Sequence, residues 1–500
     1  MPPPQGLHPH VNILFYADSS ATNLLVVYPG GILRRQPEEF GLRMLKDILE
    51  ANPFPTISVD LVNRFWNLNG DGSVDATRKT SATTLTTTLL QKYDEIWFFG
   101  KHLGNFNDPW GFGWDQNGYS DSELTPSELD ALAKWMNNGG GVLMLGDHSN
   151  WVSTGGMGET NLYNLGRALG KNVLRAGQMR VWEGDPGAYK LDKQVNTSGD
   201  ADDMVDMPNQ EDAVPQDIYP AFRDYFLKGE KFAERFWHPL FVGAPRSDDP
   251  NGIIKVFPDH GHEGALNFPT TYAPAIWPDA GSFQPKPEVV ARGTNQDNGE
   301  QIDLVSAYDG QLAGVGRIVA HTTFHHFVNV NLHGFLNSDG TPDETLQIIS
   351  QYFANLAWWL MPRHNKNQGL GWVLQSLTKS TIMRDLQGAP LGVLGTAAYR
   401  VLGEMATGGQ IRDLINVALE KVIPPTRYNG SLRLLLPSQA YLLGGLVAEQ
   451  QLAYASIGHH REASEVHELA ARGIKRALRE EVEELEARAD TIKAVMKDYD

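Results

Sequence analysis

Residues 125–147 read TPSELDALAKWMNNGGGVLMLGD and predict a helix, its end and the strand that follows. Thr125 and Glu128 have the spacing of a capping box, and Pro126 stands at the first helical position. Apolar residues then recur every three or four positions until a glycine run ends the helix. VLMLGD has the length and the apolar character of a buried strand, so this stretch predicts one helix–strand unit of an α/β fold.

Segments of the same two kinds alternate along the rest of the first 365 residues. The predicted sheet strands are VNILFYAD (11–18), TISVDLV (56–62), DEIWFFG (94–100), VLMLGD (142–147) and GVGRIVAHTTF (314–324). The predicted helices cover residues 37–52, 83–93, 125–141 and 344–362. Strands that alternate with helices form parallel sheets with helices on both faces. We therefore expect an α/β fold with a doubly wound, mostly parallel sheet.

The chain divides into two predicted domains. Residues 1–365 form the α/β domain, whose Gly-, Pro- and Asp-rich middle, about 150–300, predicts a long loop-rich insertion. HNKNQG (364–369) is interpreted as a linker, and residues 366–500 as an all-helical C-terminal domain. Six apolar residues near the C terminus are spaced by four and three positions: Leu478, Val482, Leu485, Ala489, Ile492 and Met496. This heptad-like seam fits both a helix docked on its own domain and a helix that self-associates.

Composition limits the classes of function. The net charge is −18, so we expect no Lys/Arg surface for nucleic-acid phosphates or for an anionic membrane. The sequence contains no cysteine, which excludes disulfides, thiolate metal sites and a cysteine nucleophile. We find no signal-peptide pattern at the N terminus and no apolar run long enough to cross a membrane. These features predict a cytoplasmic protein.

Polar side chains follow several predicted strands at their carboxyl ends. The carboxyl ends of parallel strands share one edge of the sheet, and ligands bind at that edge. The candidates there are Asp18, Asp147, His148, Ser149, the segment PDHGHEG (258–264), His321, His325 and His326. Six of the fifteen histidines lie in the windows 260–262 and 321–333, which favours one shared site. The predicted catalytic residues are His148, His260, His262, Glu263 and His325.

PDHGHEG permits three interpretations. In an extended backbone His260 and His262 point to the same side, so both imidazoles can reach one ion. With Glu263 they form a predicted site for one divalent transition metal, either Zn, Mn or Fe. Such a metal lowers the pKa of bound water or polarises a carbonyl group. Metal-free acid–base catalysis and a structural loop with backbone-bonded histidines remain the alternatives.

Adjacent histidines cannot both face one site on a strand. If the strand continues past residue 321, then His321, Thr323 and His325 share one face and His326 faces the other way. We therefore assign His325 to the site and expect a structural role for His326.

Substrate binding is assigned to polar and aromatic side chains around the same edge. NFNDPWGFGWDQNGY (105–119) interleaves tryptophans with Asn and Asp, so it can stack on a sugar ring or pack its own aromatics. The predicted substrate-binding residues are Asp18, Trp110, Trp114, Asp147, Ser149 and Asn329. Ser149 is also a candidate nucleophile, but its position beside His148 favours a helix cap.

NLNGDGSVDATR (67–78) partly matches a calcium-binding loop. Asn67, Asn69 and Asp71 stand at positions 1, 3 and 5 of the pattern, with a glycine at position 6. The last position, which needs a bidentate glutamate, is Arg78. We therefore prefer a polar, glycine-rich turn.

Three segments together resemble class I glutamine amidotransferase-like domains, and more nearly the ThuA-like (trehalose-utilisation-like) branch. They are KYDEIWFFG (92–100), SELDALAKWMNNGGGVLMLGDHSNW (127–151) and GVGRIVAHTTFHH (314–326). The matching residues are Gly139, Gly140, Gly141, His148, Ser149, Gly316, Arg317 and His325. The resemblance covers about residues 10–362 and implies that the doubly wound sheet is flavodoxin-like.

The chain departs from the amidotransferase pattern at one position. Glutamine amidotransferases carry a nucleophilic cysteine on the turn that here reads Gly146-Asp147-His148-Ser149. Glutaminase chemistry through a thiolate is therefore excluded. Two functions remain: an enzyme that hydrolyses or isomerises a small polar, carbohydrate-like substrate with a metal or histidine, and a non-catalytic scaffold that forms homo-oligomers through its C-terminal helices.

Overall fold

The structure is a computed structural model of the 500-residue chain. It describes residues 8–17, 41–64, 66–68, 74–78, 81, 83–99, 124–145, 180–181, 183–189, 215–227, 230–249, 251–258, 263–281, 283–295, 298–422, 438–457 and 463–497. Within these ranges the strands are β1 (His10–Ala17), β2 (Thr56–Asn63), β3 (Trp66–Leu68), β4 (Val74–Arg78), β5 (Glu95–Phe99), β6 (Gly141–Leu145), β7 (Glu183–Tyr189), β8 (Gln216–Asp217), β9 (Tyr219–Pro220), β10 (Phe222–Leu227), β11 (Glu230–Trp237), β12 (Val256–Phe257), β13 (Glu263–Asn267), β14 (Glu288–Thr294), β15 (Gln301–Tyr308) and β16 (Ile318–His321). The α-helices in the same ranges are α1 (Arg43–Glu50), α2 (Thr87–Leu90), α3 (Pro126–Asn137), α4 (Asn329–His333), α5 (Glu344–Leu360), α6 (Arg363–Lys379), α7 (Thr381–Asp385), α8 (Leu391–Leu402), α9 (Gly408–Leu419), α10 (Gln439–Ile457) and α11 (Ala463–Lys497).

Eight of the described strands form the central sheet, in the order β2-β1-β5-β6-β16-β15-β14-β9. Neighbours from β2 to β16 pair in parallel, and β15, β14 and β9 extend the sheet with antiparallel pairs. The expected α/β fold with a mostly parallel sheet is therefore confirmed. The region predicted as a loop-rich insertion is more regular than expected, because β9 and β14 belong to the central sheet and β7, β8 and β10 to β13 form two-stranded pairs.

The capping box predicted at the start of α3 is present, and it also ties α3 to the end of β2. The Glu128 amide donates to Thr125 Oγ1 at 3.3 Å, and Glu128 Oε2 accepts from the Thr125 amide at 2.8 Å. Arg64, which follows β2, donates Nη1 to Glu128 Oε1 at 2.8 Å. Burial by itself raises the pKa of Glu128, but hydrogen bonds from Arg64 and from two backbone amides outweigh it and lower the pKa to about 2. The helix start is therefore held by an ionised, buried carboxylate.

Packing explains most of the glycine and arginine positions on which the family resemblance rests. Gly139 ends α3 with a φ of 102°, a left-handed value that favours glycine. A Cβ atom on Gly316 would overlap the carbonyl oxygen of Gly140, where the segments that lead into β16 and β6 cross. Arg317 is buried in a charge cluster described below. These residues build the fold and lie away from the predicted catalytic edge.

The two faces of the sheet bury separate apolar clusters. Alternate residues of β1 show this, since Ile13 and Phe15 belong to one cluster and Leu14 and Tyr16 to the other. The first cluster is covered by α1, α5 and the C-terminal helices, and the second by α2, α3 and Trp277.

The C-terminal helices pack on the first cluster, which continues without a break from β1 to Ala477 of α11. The predicted helical character of this region is confirmed. The predicted linker at residues 364–369 is wrong, because these residues lie inside α6 and Lys366 is fully buried. A polar sequence can be buried when its charges are paired, and composition does not reveal that pairing. The domain boundary at 365/366 stays a prediction.

A buried charge cluster joins the sheet to these helices. Arg317 lies 4.5 Å from the Trp359 ring centroid and donates Nε and Nη2 to the two carboxylate oxygens of Asp309 at 2.7 and 3.1 Å. Its Nη1 also donates to Asp413 of α9 at 3.1 Å. Lys366 of α6 donates to Asp413 at 2.7 Å. Two cations and two carboxylates thus bind the edge of the sheet to α6 and α9.

The last helix, α11, is buried in its first half and exposed in its second. Apolar residues between Val466 and Ala477 pack on α10 and the core. The carboxylate of Glu484 accepts a hydrogen bond from the Tyr441 hydroxyl at the start of α10. After Glu484, all of residues 485–494 are exposed. The predicted seam residues Val482 and Ile492 are 52% and 59% exposed. The helix therefore docks on its own chain with its first half, and self-association of the second half stays a prediction.

One local prediction needs correction, and another lies partly outside the described residues. The final core strand covers only Ile318–His321, because 3-10 helices at Gly310–Ala313 and His325–Phe327 flank it. The calcium-like segment contains two antiparallel strands, β3 and β4, while its turn at residues 69–73 lies outside the described residues. None of the helices in the described ranges combines the length and the apolar character needed to cross a membrane.

Candidate functional site

The carboxyl ends of the parallel strands lie level with one another. Ala17 of β1 pairs with Phe99 of β5, and Leu145 of β6 pairs with His321 of β16. The segments after these strands therefore leave the sheet at one edge, which we call the carboxyl edge.

A buried histidine cluster lies at this edge and consists of His321, His326, Phe257 and Tyr352. His321 ends β16, and its ring centroid lies 5.1 Å from that of His326. Phe257 of β12 contacts both imidazoles, with centroids 4.9 and 5.1 Å away. Tyr352 of α5 lies 4.9 Å from Phe257 and 6.3 Å from His321. β12, β16, the following 3-10 helix and α5 each contribute one ring to the cluster.

Three polar atoms in the cluster are buried without a hydrogen-bond partner. Neither ring nitrogen of His321 has a partner among the described residues, and the same holds for the hydroxyl of Tyr352. Both side chains have no exposed surface. A buried polar group without a partner costs about 1–3 kcal/mol, so each such group needs an explanation. At the ligand-binding edge of a parallel sheet, the explanation we favour is a ligand.

Burial sets the protonation states of the cluster. It lowers the pKa of His321 well below the usual histidine value, and the neighbouring His326 lowers it further. Burial also raises the pKa of Tyr352 well above the usual phenol value. At neutral pH the cluster therefore offers a neutral imidazole and a protonated phenol. A neutral imidazole can accept a proton, donate its N–H or bind a metal, and the phenol can donate a hydrogen bond.

Both predicted histidine segments begin at this cluster. Phe257 is three residues before His260, and Leu145, the strand partner of His321, is three residues before His148. Leu145 ends β6 of the central sheet, whereas Phe257 ends β12, which pairs with β8 outside that sheet, so the expectation that both segments follow strands of the parallel sheet holds only for the first. The structure thus brings the starting points of these segments together.

Most predicted site residues lie outside the described residues. They are Asp18, Trp110, Trp114, Asp147, His148, Ser149, His260 and His262. Glu263 begins β13, where it pairs with Tyr189, and His325 begins the 3-10 helix; only their backbone is described. Their roles stay predictions.

The reasoning that separated His325 from His326 assumed an extended backbone, and this assumption is wrong. The strand ends at His321, and the chain turns into a 3-10 helix that carries His326 inward against Phe257. Hydrophobic periodicity cannot locate such a turn, since it contains neither Gly nor Pro.

Asn329 has structural contacts. It begins α4 and is buried, and its amide donates to the Gly41 carbonyl at 2.9 Å. Its Oδ1 accepts from the Met44 amide at 2.9 Å, an N–H of the first turn of α1. Asn329 therefore caps α1 from a distant part of the chain, and its predicted contact with substrate stays untested.

The metal prediction rests on residues of which the structure gives no side chains. Among the described residues no group of three or more His, Asp or Glu side chains could hold a metal ion. The neutral state of His321 is the one that ligates metals, so the cluster is chemically compatible with a metal held by His260, His262 and Glu263.

The sequence gives no signal for Tyr352, because this residue lies in the apolar pattern of a helix that looks entirely structural. For His321 the sequence signal is its position at the end of an apolar strand, which does not by itself distinguish it from His325. No family model matches the chain, and a search of curated proteins finds no significant match. Fold and cluster therefore define an α/β protein with a mostly parallel sheet, a C-terminal helical region and a buried histidine pair at the carboxyl edge.

Proposed function

We propose that this chain is a cytoplasmic enzyme with a flavodoxin-like domain of the ThuA-like amidotransferase branch. Its substrate is a small polar, carbohydrate-like molecule, which it hydrolyses or isomerises with the help of histidine or a metal. The observation that carries the proposal is His321, whose two buried ring nitrogens have no partner among the described residues and whose ring centroid lies 6.3 Å from that of Tyr352.

The order of the strands supports the flavodoxin-like part of the proposal. The five parallel strands, counted along the chain, have the order 2-1-3-4-5 in the sheet. Flavodoxin-like sheets have this order, and they bind ligands at the carboxyl edge, where the order reverses. The predicted residue Asp18 follows β1, one of the two strands at that reversal.

The chemistry follows from the protonation states. A neutral His321 can take a proton from water or from a substrate carbon, and a group such as Tyr352 can donate a hydrogen bond to the developing oxyanion. His326, whose ring centroid lies 5.1 Å from that of His321, is the group we assign to returning the proton. If a metal is bound by His260, His262 and Glu263, it supplies polarisation of the substrate oxygen or of water.

The test compares His321→Gln with a control, His10→Gln. His10 is an exposed histidine at the amino end of β1, away from the carboxyl edge. Activity is screened on neutral sugars, sugar lactones and sugar phosphates, and metal content is measured by elemental mass spectrometry, also for His260→Ala/His262→Ala. We expect His321→Gln to lower kcat by about 100-fold or more, as for loss of an acid–base group, while His10→Gln stays at the wild-type rate. Equal activity of the two variants would contradict the role of His321.

A second function is favoured by the exposed half of α11, whose apolar residues Val482, Leu485 and Ile492 have no cover in the described chain. In this alternative the protein is a non-catalytic scaffold that assembles through this helix. Truncation after Glu481 leaves the buried half of α11 intact, and light scattering then measures the mass. A mass that falls to that of the monomer supports assembly, and an unchanged mass contradicts it.

A further inference from the structure

A second set of buried polar atoms without partners lies at the amino edge of the parallel strands, on the other face of the sheet. It centres on Arg180, which is 6% exposed, and on Tyr308 at the end of β15, which is fully buried. Both adjoin the segment at Trp277, since Arg180 Nη1 donates to the Ile276 carbonyl at 3.2 Å and the Tyr308 ring lies 4.9 Å from the Trp277 ring.

Among the described residues, only one nitrogen of the Arg180 guanidinium has a hydrogen-bond partner. Nη1 donates to Asn137 Oδ1 at 2.6 Å and to the Ile276 carbonyl. Nε and Nη2 are buried and have no partner among the described residues, and the Tyr308 hydroxyl is in the same state. Three N–H groups and one O–H group are therefore unsatisfied within this pair.

The unused edge of Arg180 is the one that binds carboxylates. In Arg317 the same two atoms, Nε and Nη2, hold both oxygens of Asp309 at 2.7 and 3.1 Å. Such a bidentate pair is the strong geometry for an arginine and a carboxylate.

The buried charge of Arg180 also favours a carboxylate as its partner. Burial lowers the pKa of Arg180, and Tyr308 is the sole described group whose charge opposes that shift. An arginine keeps its proton in proteins, so a buried positive charge stands here without a carboxylate among the described residues. A single carboxylate would neutralise it, whereas a phosphate dianion would leave a buried negative charge. Burial raises the pKa of Tyr308, which keeps its hydroxyl a donor.

We propose that Arg180 and Tyr308 form a binding site for a monocarboxylate ligand, separate from the carboxyl edge. Nε and Nη2 of Arg180 each donate to one carboxylate oxygen, and the Tyr308 hydroxyl donates to either of them. The site makes no use of the histidine cluster, which belongs to the opposite edge and to the other apolar cluster.

Thermal unfolding of the full chain in sodium propionate, sodium phosphate and sodium chloride at equal ionic strength tests this site. A ligand that binds only the folded protein raises Tm, and at 100-fold excess over Kd we expect a rise of about 3 °C in propionate relative to chloride. Arg180→Met should unfold at a higher temperature than wild type in chloride, because it removes an uncompensated buried charge, and it should not respond to propionate.

Tyr308→Phe provides a second, milder variant. In chloride it should be as stable as wild type, because the hydroxyl that it removes has no partner. Its Kd for propionate should be about tenfold weaker than that of wild type. Arg292→Met, which changes a partly exposed arginine paired with Asp303 at 2.7 Å, is the matched control and should keep the full response.

Three results would overturn the proposal. The first is a wild-type Tm that is equal in propionate and chloride. The second is a propionate response of Arg180→Met as large as that of wild type. The third is a phosphate response that matches the propionate response, which would contradict the argument from charge.

Discussion

Replacement of Asp413 by Asn removes one charge from the buried charge cluster and nearly preserves the side-chain shape. Asp413 accepts hydrogen bonds from Lys366 at 2.7 Å, from Arg317 at 3.1 Å and from Trp358 Nε1 at 3.1 Å. In the wild type the charges of Arg317 and Lys366 are balanced by those of Asp309 and Asp413. The variant therefore leaves one net positive charge in a region without contact to water.

The size of the effect follows from this imbalance. Loss of one partner from a buried ion pair destabilises a protein by about 3–5 kcal/mol. We expect this loss for Asp413→Asn. Lys366→Met leaves one net negative charge, but it also removes an ammonium whose lowered pKa shows that burial disfavours its charge, so its loss should be smaller. The double variant removes one charge of each sign and keeps the bidentate pair of Arg317 and Asp309. Its loss should therefore be about 2–3 kcal/mol smaller than the sum of the two single losses.

Urea unfolding, followed by circular dichroism, measures the four proteins of this double-mutant cycle. Asp413→Asn should lower the urea midpoint by up to about 1 M, and Lys366→Met by less. Lys134→Met, which breaks an exposed pair with Asp130, is the control and should change stability by less than about 1 kcal/mol. If the double variant loses the full sum of the single losses, the charges are not coupled and the reasoning is refuted.

Three other changes probe single features of the fold. Burial, and then the charge of Arg317, lowers the pKa of Lys366 to about 8. Between pH 8 and 10.5 the unfolded chain therefore binds more protons than the folded chain, so the free energy of unfolding should rise with pH in this range. Lys366→Met should remove this rise. Glu128→Gln should lower the free energy of unfolding by about 3–5 kcal/mol at pH 7. The pKa of Glu128 is about 2 in the folded protein and ordinarily 4.5, so this difference from wild type should shrink as the pH falls from 4.5 to 2. Gly316→Ala should lower the free energy of unfolding by about 3 kcal/mol, because the added Cβ would overlap the Gly140 carbonyl oxygen, which is fixed in the backbone.

Each of these has its own control and its contrary outcome. For the pH slope, Lys134→Met must keep the wild-type slope, and an equal slope in Lys366→Met contradicts the assignment. A stability difference for Glu128→Gln that is the same at pH 7 and pH 2 would mean that charge plays no part. The control for Gly316→Ala is Gly340→Ala, whose added Cβ meets no atom within 4 Å but whose φ is 79°. It should lower the free energy of unfolding by about 1–2 kcal/mol. A larger loss for Gly340→Ala than for Gly316→Ala would refute the close crossing of the segments at Gly316 and Gly140.

The candidate site shows how far local sequence patterns reach. The strand before His148 ends level with β16 at the carboxyl edge, because parallel strands all run in the same direction. The strand before PDHGHEG is β12, which pairs with β8 outside the central sheet, and the sequence pattern did not reveal this. The enclosed partners of that edge were not predicted. Tyr352 lies in an amphipathic helix, and nothing in its neighbours distinguishes a core tyrosine from one whose hydroxyl lacks a partner.

The sequence by itself determined the features that depend on neighbours along the chain. The capping box of Thr125 and Glu128, the glycine that ends α3 and the alternation of helix and strand all act over a few residues, and all are present. Tertiary structure alone decided which polar groups are buried. Lys366 became part of a charge cluster inside a predicted linker, and Arg180 kept an unused guanidinium edge. Burial and pairing depend on residues that are distant in sequence and meet only when the sheet and its helices are assembled.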